Sequence, residues 1–200
     1  MLNTDDLKPR EVWEYFHEIL AIPRISKKED QIIAYLVSFA KKHKLAYKQD
    51  QVGNLVISKP ATRGLEHKKG IILQSHVDMV GEKHADVQHD FHKDPIQAYV
   101  EDGWVRAKGT TLGADDGIGI AASQAILASE SIEHGPLECL FTIDEESGMT
   151  GAFGLQPGFL SGSVLLNLDS EDEGEIFMGC AGGMDTLATY TYKRQRAKRN

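Results

Sequence analysis

Three short apolar runs in this chain each end directly in residues that can bind a metal ion. Each run has the composition of a β-strand and is four or five residues long. In open α/β sheets the strand ends form the edge at which ligands bind, so one histidine and several carboxylates are expected to converge there. This pattern indicates a metal-dependent hydrolase. The runs are 71–74, followed by Ser75-His76-Val77-Asp78; 140–143, followed by Asp144-Glu145-Glu146; and 164–168, followed by Asp169-Ser170-Glu171.

The composition is that of an ordinary globular domain that does not bind nucleic acid. The 200 residues are enough for one domain with a hydrophobic core. The 22 basic and 30 acidic residues give a net charge of −8, which argues against a nucleic-acid partner. Residues 1–10 are polar and no apolar signal segment follows them. No apolar stretch approaches the ~20 residues of a membrane span, so we expect no membrane partner and a cytoplasmic location. Cys139 lies in an apolar run and is expected to be a buried, reduced thiol.

The order of the apolar patterns predicts a three-layer α/β domain with a mixed, largely parallel sheet between helices. Helical spacing precedes Pro23 and recurs over about 27–42, and a third helix is expected after Asp116. A short helix is expected within 147–162. Strand-like segments are two pieces within 46–58, then 71–74, 104–107, 137–143, 164–168 and 185–192.

His76 and Asp78 alternate along an extended segment, so their side chains face the same side. A histidine that binds Zn²⁺ through one nitrogen usually donates its other N–H to a carboxylate, and Asp78 is placed to accept it. Asp115 and Asp116 lie in a glycine-flanked turn before the third helix. One of them can cap that helix, which leaves at least one carboxylate for other work.

Glu145 and Glu146 are adjacent at a strand end, where neighbouring side chains are expected to point in opposite directions. One of them could then bind metal while the other faces the substrate water. One histidine with several carboxylates suits a two-metal centre in which a carboxylate bridges the ions. Such a centre catalyses amide hydrolysis, and Glu145 is available as general base.

The residues around these positions resemble the co-catalytic zinc peptidases of the aminoacylase and carboxypeptidase type. The resemblance is strongest to the aminoacyl-histidine dipeptidases, which are the bacterial carnosinase-like enzymes, and it extends over nearly all of the chain. The segments that carry it are SHVDMV (75–80), HDF (89–91), KDPI (93–96), RAKGTTLGADDGIG (106–119), TIDEESGMTGA (142–152) and LDSE (168–171).

The resemblance implies a role for each of the candidate residues. His76 and Asp169 are expected to be terminal ligands of one metal, and Asp115 the bridging carboxylate, with a cis peptide to Asp116. Glu146 is expected to bind the second metal. The expected catalytic residues are Glu145 as general base and Asp78 as the residue that orients His76. The implied metal is Zn²⁺, two per complete site, for which Mn²⁺ or Co²⁺ can substitute.

The family is much longer than this chain, and the difference concerns the second metal. In the family a lid domain follows at about residue 186, and the catalytic domain then returns with a further histidine ligand. His84, His89, His92 and His134 are not at a matching position. Residues 1–185 are therefore expected to be the N-terminal part of the catalytic domain, and residues 186–200 the start of a truncated lid. A homodimer is expected only for the full-length enzyme.

The function predicted from the sequence is the metal-dependent hydrolysis of small peptides, namely dipeptides of the Xaa-His type. In this prediction Glu145 is the general base that acts on a metal-activated water. The alternative is a truncated, catalytically inactive fragment that binds metal without turnover.

Overall fold

The computed structural model describes residues 2–170, 172–179, 182–184 and 186–194. The chain divides into two units, residues 1–170 and 171–200. The helices and strands of the described residues all lie in the first unit. They are, in chain order, α1 (Arg10–Leu20), α2 (Asp30–Lys42), β1 (Ala46–Gln49), β2 (Leu55–Lys59), β3 (Ile71–His76), β4 (Ala98–Glu101), β5 (Trp104–Ala107), α3 (Ala114–Ala128), β6 (Leu137–Thr142), α4 (Glu145–Gly148), α5 (Thr150–Gly154) and β7 (Val164–Asn167).

Five strands form one mixed sheet in the order β1-β2-β6-β3-β7. The β1–β2 and β2–β6 pairs are antiparallel, whereas β3 runs parallel to both β6 and β7. The α/β fold with a mixed sheet is therefore confirmed. The three strands that precede the predicted ligands are adjacent and parallel, so their carboxyl ends lie at the same edge.

Alternating side chains of the sheet enter two separate hydrophobic clusters. Leu55, Ile57 and Leu73 belong to the larger cluster, which also contains residues of α1, α2 and α3. The intervening Val56 and Ile72 belong to a smaller cluster, against which Leu155, Phe159 and Leu160 pack. This alternation is the two-residue period of strands. It fixes the register of the strands and therefore the positions at which they end.

The second helix begins three residues later than the sequence predicts. Lys27 has a positive φ of 65°, which a helical residue cannot have, and its N–H donates to the Glu29 carboxylate. Glu29 then precedes the first residue of α2. The chain from 21 to 29 is therefore a loop, and this loop lies beside the predicted site.

Three further comparisons with the sequence concern other parts of the fold. The strand β4 was not predicted; it pairs with β5 across an Asp102-Gly103 turn, a dipeptide typical of tight hairpins. The predicted strand 185–192 is wrong for its described part, since 186–192 has no assigned strand; Asp185 lies outside the described residues. The lid prediction for 186–200 stays a prediction, and its residues 195–200 lie outside the described chain.

No helix in the described part of the chain combines the length and apolar character that crossing a bilayer requires.

Candidate metal centre

His76 is the last residue of β3, and its side chain is buried at the edge where the parallel strands end. Its Nδ1 atom lies 3.2 Å from Oδ1 of Asp78, as the His-x-Asp spacing predicts. Its Nε2 atom lies 2.7 Å from Oδ1 of Asp115 and 3.9 Å from Oδ2 of Asp169. One nitrogen is thus oriented by a buried carboxylate, and the other faces two carboxylates from different segments.

Asp78 is fully buried and connects His76 to the segment that carries the glutamates. Its Oδ1 atom accepts the N–H of Glu145 at 3.0 Å, and its Oδ2 atom accepts the N–H of Glu146 at 3.2 Å and the Ser26 hydroxyl at 2.8 Å. Burial alone would raise the pKa of Asp78, but the hydrogen bonds from His76, Glu145 and Ser26 lower this pKa to about 2. Asp78 is therefore held as a carboxylate.

The Asp115–Asp116 turn divides two tasks between neighbouring carboxylates. Its peptide bond is cis, as the resemblance implies. Asp116 is buried and accepts the N–H of Gly119 and the N–H of His76, each at 3.2 Å. Asp115 and Asp116 have non-helical backbone angles within α3, so Asp116 caps the regular part of the helix that follows it. The Asp115 side chain is half-exposed and points at His76. The sequence prediction of one capping carboxylate and one spare carboxylate is confirmed.

Glu145 and Glu146 do not continue the strand, which corrects the expectation that they point in opposite directions. Asp144 has a positive φ of 49° and ends the extended segment, and both glutamates lie in α4. The Asp144 carboxylate accepts the hydroxyls of Ser147 and Thr150, and these bonds stabilise the helical turn. Both glutamates are partly buried on this turn.

The four predicted metal residues come together from four segments. Donor atoms of His76, Asp115 and Glu146 lie within 4.8 Å of one another, and Asp169 also approaches His76. The described residues contain two clusters of three such donors, and His76 is the only histidine in these two clusters. The roles assigned to these residues remain predictions.

The electrostatics of the cluster favour a positive charge at its centre. Burial lowers the pKa of His76, yet the hydrogen bonds to Asp78 and Asp115 outweigh it and raise the pKa to about 9. Burial raises the pKa of Glu146, and the nearby Asp115 carboxylate raises it further. One imidazole with several carboxylates is a donor set that suits Zn²⁺ or Mn²⁺, so the residues fit a divalent cation.

A cleft of about 580 Å³ adjoins the cluster at Glu146 and Ser147. Its walls combine apolar side chains with polar groups, which is typical of a small-molecule site. The apolar members are Ile25, Met79, Val80 and Phe91, and the polar members include Ser26, His89, Asp90 and His92. The HDF motif of the sequence thus lines the cleft, and its residues belong to neither donor cluster of the described residues.

The sequence patterns did not identify the buried and partly buried polar residues that surround the candidate ligands. Arg24, Ser26 and Glu29 lie in the loop between α1 and α2, and Glu29 accepts the N–H of Asp144 at 3.1 Å. Glu29, Asp78 and Asp144 form a second cluster of buried carboxylates within 4.8 Å. A loop lacks the periodicity that distinguishes buried from exposed positions, so no pattern in the sequence marked these residues.

Comparison with known proteins finds similarity to the kind of enzyme that the sequence motifs resemble. No family model matches the chain. The cytosol non-specific dipeptidase of Escherichia coli is 52% identical over 195 residues, which are 98% of this chain and 40% of that protein. The structure of aminoacylhistidine dipeptidase from Vibrio alginolyticus superposes with a TM-score of 0.87 and 53% identity over 89% of this chain and 36% of its own.

In both sequence and fold the chain is similar to an aminoacylhistidine dipeptidase. A tripeptidase structure from Staphylococcus aureus matches more distantly, with a TM-score of 0.69 and 25% identity over 82% of this chain and 44% of its own. The resemblance to the dipeptidases and the fold expected from it are thereby confirmed. This chain spans about two fifths of the length of these relatives, which are named as peptidases.

Proposed function

We propose that this chain is part of the catalytic domain of a metal-dependent dipeptidase that hydrolyses Xaa-His dipeptides. One observation carries the proposal: Nε2 of His76 faces two carboxylates while Asp78 holds Nδ1. The relatives named as dipeptidases support the substrate class. The adjoining cleft is large enough for a dipeptide. The substrate is a small peptide, with no nucleic acid or membrane as partner, and the location is the cytoplasm, as for the cytosolic relative.

In this proposal His76, Asp115 and Asp169 would hold one divalent ion, and Asp115 and Glu146 would hold the second. The ions are Zn²⁺, with Mn²⁺ or Co²⁺ able to replace them. When bound, a divalent metal polarises a carbonyl oxygen and lowers the pKa of water, which is the chemistry that amide hydrolysis needs.

The residues of this chain then control protons and orientation. Asp78 keeps the proton of His76 on Nδ1, so Nε2 presents its lone pair to the cluster. Glu145 takes a proton from the attacking water and gives it to the departing amine nitrogen. Burial raises the pKa of Glu145, which brings it nearer to the range of an effective general base. The N–H of Glu145 is held by Asp78, so the residue that orients His76 also positions the base.

A metal titration combined with a turnover assay tests the proposal. The protein is stripped with EDTA, titrated with Zn²⁺ in a calorimeter, and incubated with Ala-His while free histidine is measured by chromatography. We expect metal-dependent release of histidine that E145A abolishes without changing the number of bound ions. The matched control is E133A, at an exposed glutamate, which leaves both values unchanged. Turnover by E145A at the wild-type rate would contradict the role of Glu145.

The alternative function is metal binding without catalysis. It is favoured by one observation, that the described donor clusters contain a single histidine, His76. The same titration separates the two functions. Two ions with turnover exclude the inactive fragment, whereas one ion bound by His76, Asp115 and Asp169 without turnover excludes independent catalysis. A homodimer is proposed for the full-length enzyme only.

A further inference from the structure

Arg24 is a buried cation next to the candidate metal centre that the proposed chemistry does not use. It lies in the loop between α1 and α2, and only 2% of its surface is exposed. Burying an arginine is costly unless its donors are satisfied, so such a residue is expected to have a specific structural or functional task.

The guanidinium of Arg24 donates hydrogen bonds to both of the segments that carry the partners of the His76 ring, Asp78 and Asp115. Its Nη1 atom donates to the carbonyl oxygen of Val77 at 2.9 Å and to that of Asp78 at 2.7 Å. Its Nη2 atom donates to the carbonyl oxygen of Gly113, at the start of the turn that presents Asp115. One planar group therefore bridges the segment after β3 and the turn before α3.

The backbone of Arg24 strengthens the same connection. Its carbonyl oxygen accepts the N–H of Met79 at 3.1 Å, so the loop is bonded to the segment 77–79 through both side chain and main chain. A rigid planar fork that spans three carbonyl groups cannot be reproduced by the flexible ammonium group of lysine.

Two glycines in the Gly-Ala-Asp-Asp-Gly motif provide the space for this guanidinium. A Cβ atom added at Gly113 or at Gly117 would lie 2.7 Å from Nη2 of Arg24 in each case. Gly113 also has a positive φ of 71°, which few other residues adopt. The glycines on either side of the aspartates are thus matched to the arginine as well as to the turn.

We propose that Arg24 is a positioning residue that fixes the Asp115 turn relative to the segment 77–79, so that His76 and Asp115 face the same ion. The inference rests on the proposed function, because it assigns Arg24 a task in forming that metal site. Arg24 acts through the three carbonyl groups and does not itself touch the ion or the substrate.

The test compares R24K with the wild-type chain, and R10K is the matched control because Arg10 is exposed on α1. Metal-free protein is titrated with Co²⁺ alone and followed by its visible absorption, with circular dichroism as the check of folding. We expect R24K to remain folded, to bind Co²⁺ about tenfold more weakly and to show a shifted Co²⁺ spectrum. An R24K protein with the wild-type affinity and spectrum would overturn the inference.

A second variant separates positioning from a loss of folding. G117A leaves the charge of Arg24 intact but places a methyl group 2.7 Å from Nη2 of Arg24 and 3.0 Å from the ring of the buried Phe16, so it should weaken Co²⁺ binding in the same direction. The G117A change should cost less affinity in the R24K background, where the narrower ammonium group leaves room for the methyl group. Equal costs in both backgrounds would refute the contact on which the inference depends.

Amide hydrogen exchange of the metal-free protein distinguishes a failure of this inference from a failure of the proposed function. The N–H groups of His76, Glu145 and Glu146 are bonded to Asp116 or Asp78, and R24K should speed their exchange. A wild-type chain that binds no Co²⁺ refutes the metal site, and faster exchange in R24K would still support the positioning role. Unchanged exchange at all three groups would overturn that role.

Discussion

Replacing Asp78 by asparagine tests how far one buried carboxylate stabilises the candidate site. Asp78 accepts from His76, Ser26 and the N–H groups of two glutamates. An asparagine keeps the shape and one carbonyl oxygen. If that oxygen occupies the Oδ1 position, it still accepts the hydrogen bonds from His76 and from the N–H of Glu145. The amide nitrogen then occupies the Oδ2 position. The Glu146 N–H then faces another donor and loses its acceptor, whereas the Ser26 hydroxyl can rotate to accept.

The expected loss of stability is about 2 kcal/mol. An orphaned N–H costs roughly 1–3 kcal/mol, and the surviving bonds weaken because the acceptor is no longer charged. The removal of a buried charge offsets part of this loss. The pKa of Asp78 falls from 3.8 to about 2, so the net preference of the site for the charged form also corresponds to about 2 kcal/mol. Domains of this kind have a free energy of unfolding of roughly 5–15 kcal/mol, so D78N should fold.

Urea denaturation of the EDTA-treated protein, followed by circular dichroism, measures this loss. The S26A variant removes a single hydrogen bond to Asp78 and should lose about 1 kcal/mol. The matched control is D102N, in an exposed turn, which should change stability by less than about 0.5 kcal/mol. Co²⁺ binding to D78N should weaken roughly 10–100-fold, because the partner of His76 loses its charge. If D78N matches the control in both stability and Co²⁺ affinity, the proposed role of Asp78 is refuted.

Three further predictions concern the core, a glycine and a thiol. I57A should lower the free energy of unfolding, measured by urea denaturation, by about 2–5 kcal/mol, because Ile57 is fully buried. I132A, at a half-exposed position, should change it by less than about 0.5 kcal/mol. G151A should lower the melting temperature by several degrees, because its Cβ atom would lie 2.6 Å from the carbonyl oxygen of Ile143; an unchanged temperature would contradict this contact. Burial raises the pKa of Cys139 to about 12, so iodoacetamide at pH 8 should modify this thiol only after unfolding, as peptide mass spectrometry would detect.

Most of the sheet could be predicted because its strands leave a strong local pattern. The run 137–143 is mostly apolar since β6 is buried between two neighbouring strands, and the observed strand ends one residue earlier. The capping of α3 by Asp116 was equally local. By contrast, β4 has one buried residue in four and offers little hydrophobic pattern, although the Asp-Gly pair at 102–103 was a usable sign of a hairpin.

The glutamates show why site geometry was harder to predict than the fold. Their position at a strand end followed from the apolar run, but their orientation depends on Asp144, whose positive φ no propensity requires. That conformation is supported by hydroxyls three and six residues later and by Glu29, which is 115 residues earlier in the chain. Contacts of such long separation leave no periodic trace in the sequence. The candidate ligands could therefore be named from the sequence, whereas the shape of the turn that holds them could not be predicted.

The buried polar residues around the candidate ligands connect the segments that form the site. Arg24, Asp78 and Asp116 are nearly inaccessible to solvent, and each bonds to main-chain groups of a segment that carries a ligand. Removing one partner of a buried polar pair is destabilising, so these residues contribute to folding as well as to the site. Their hydrogen bonds also connect the backbone segments from which His76 and Asp115 project. The core sets where the strands end, and these buried polar groups connect the segments that carry the candidate ligands beyond those ends.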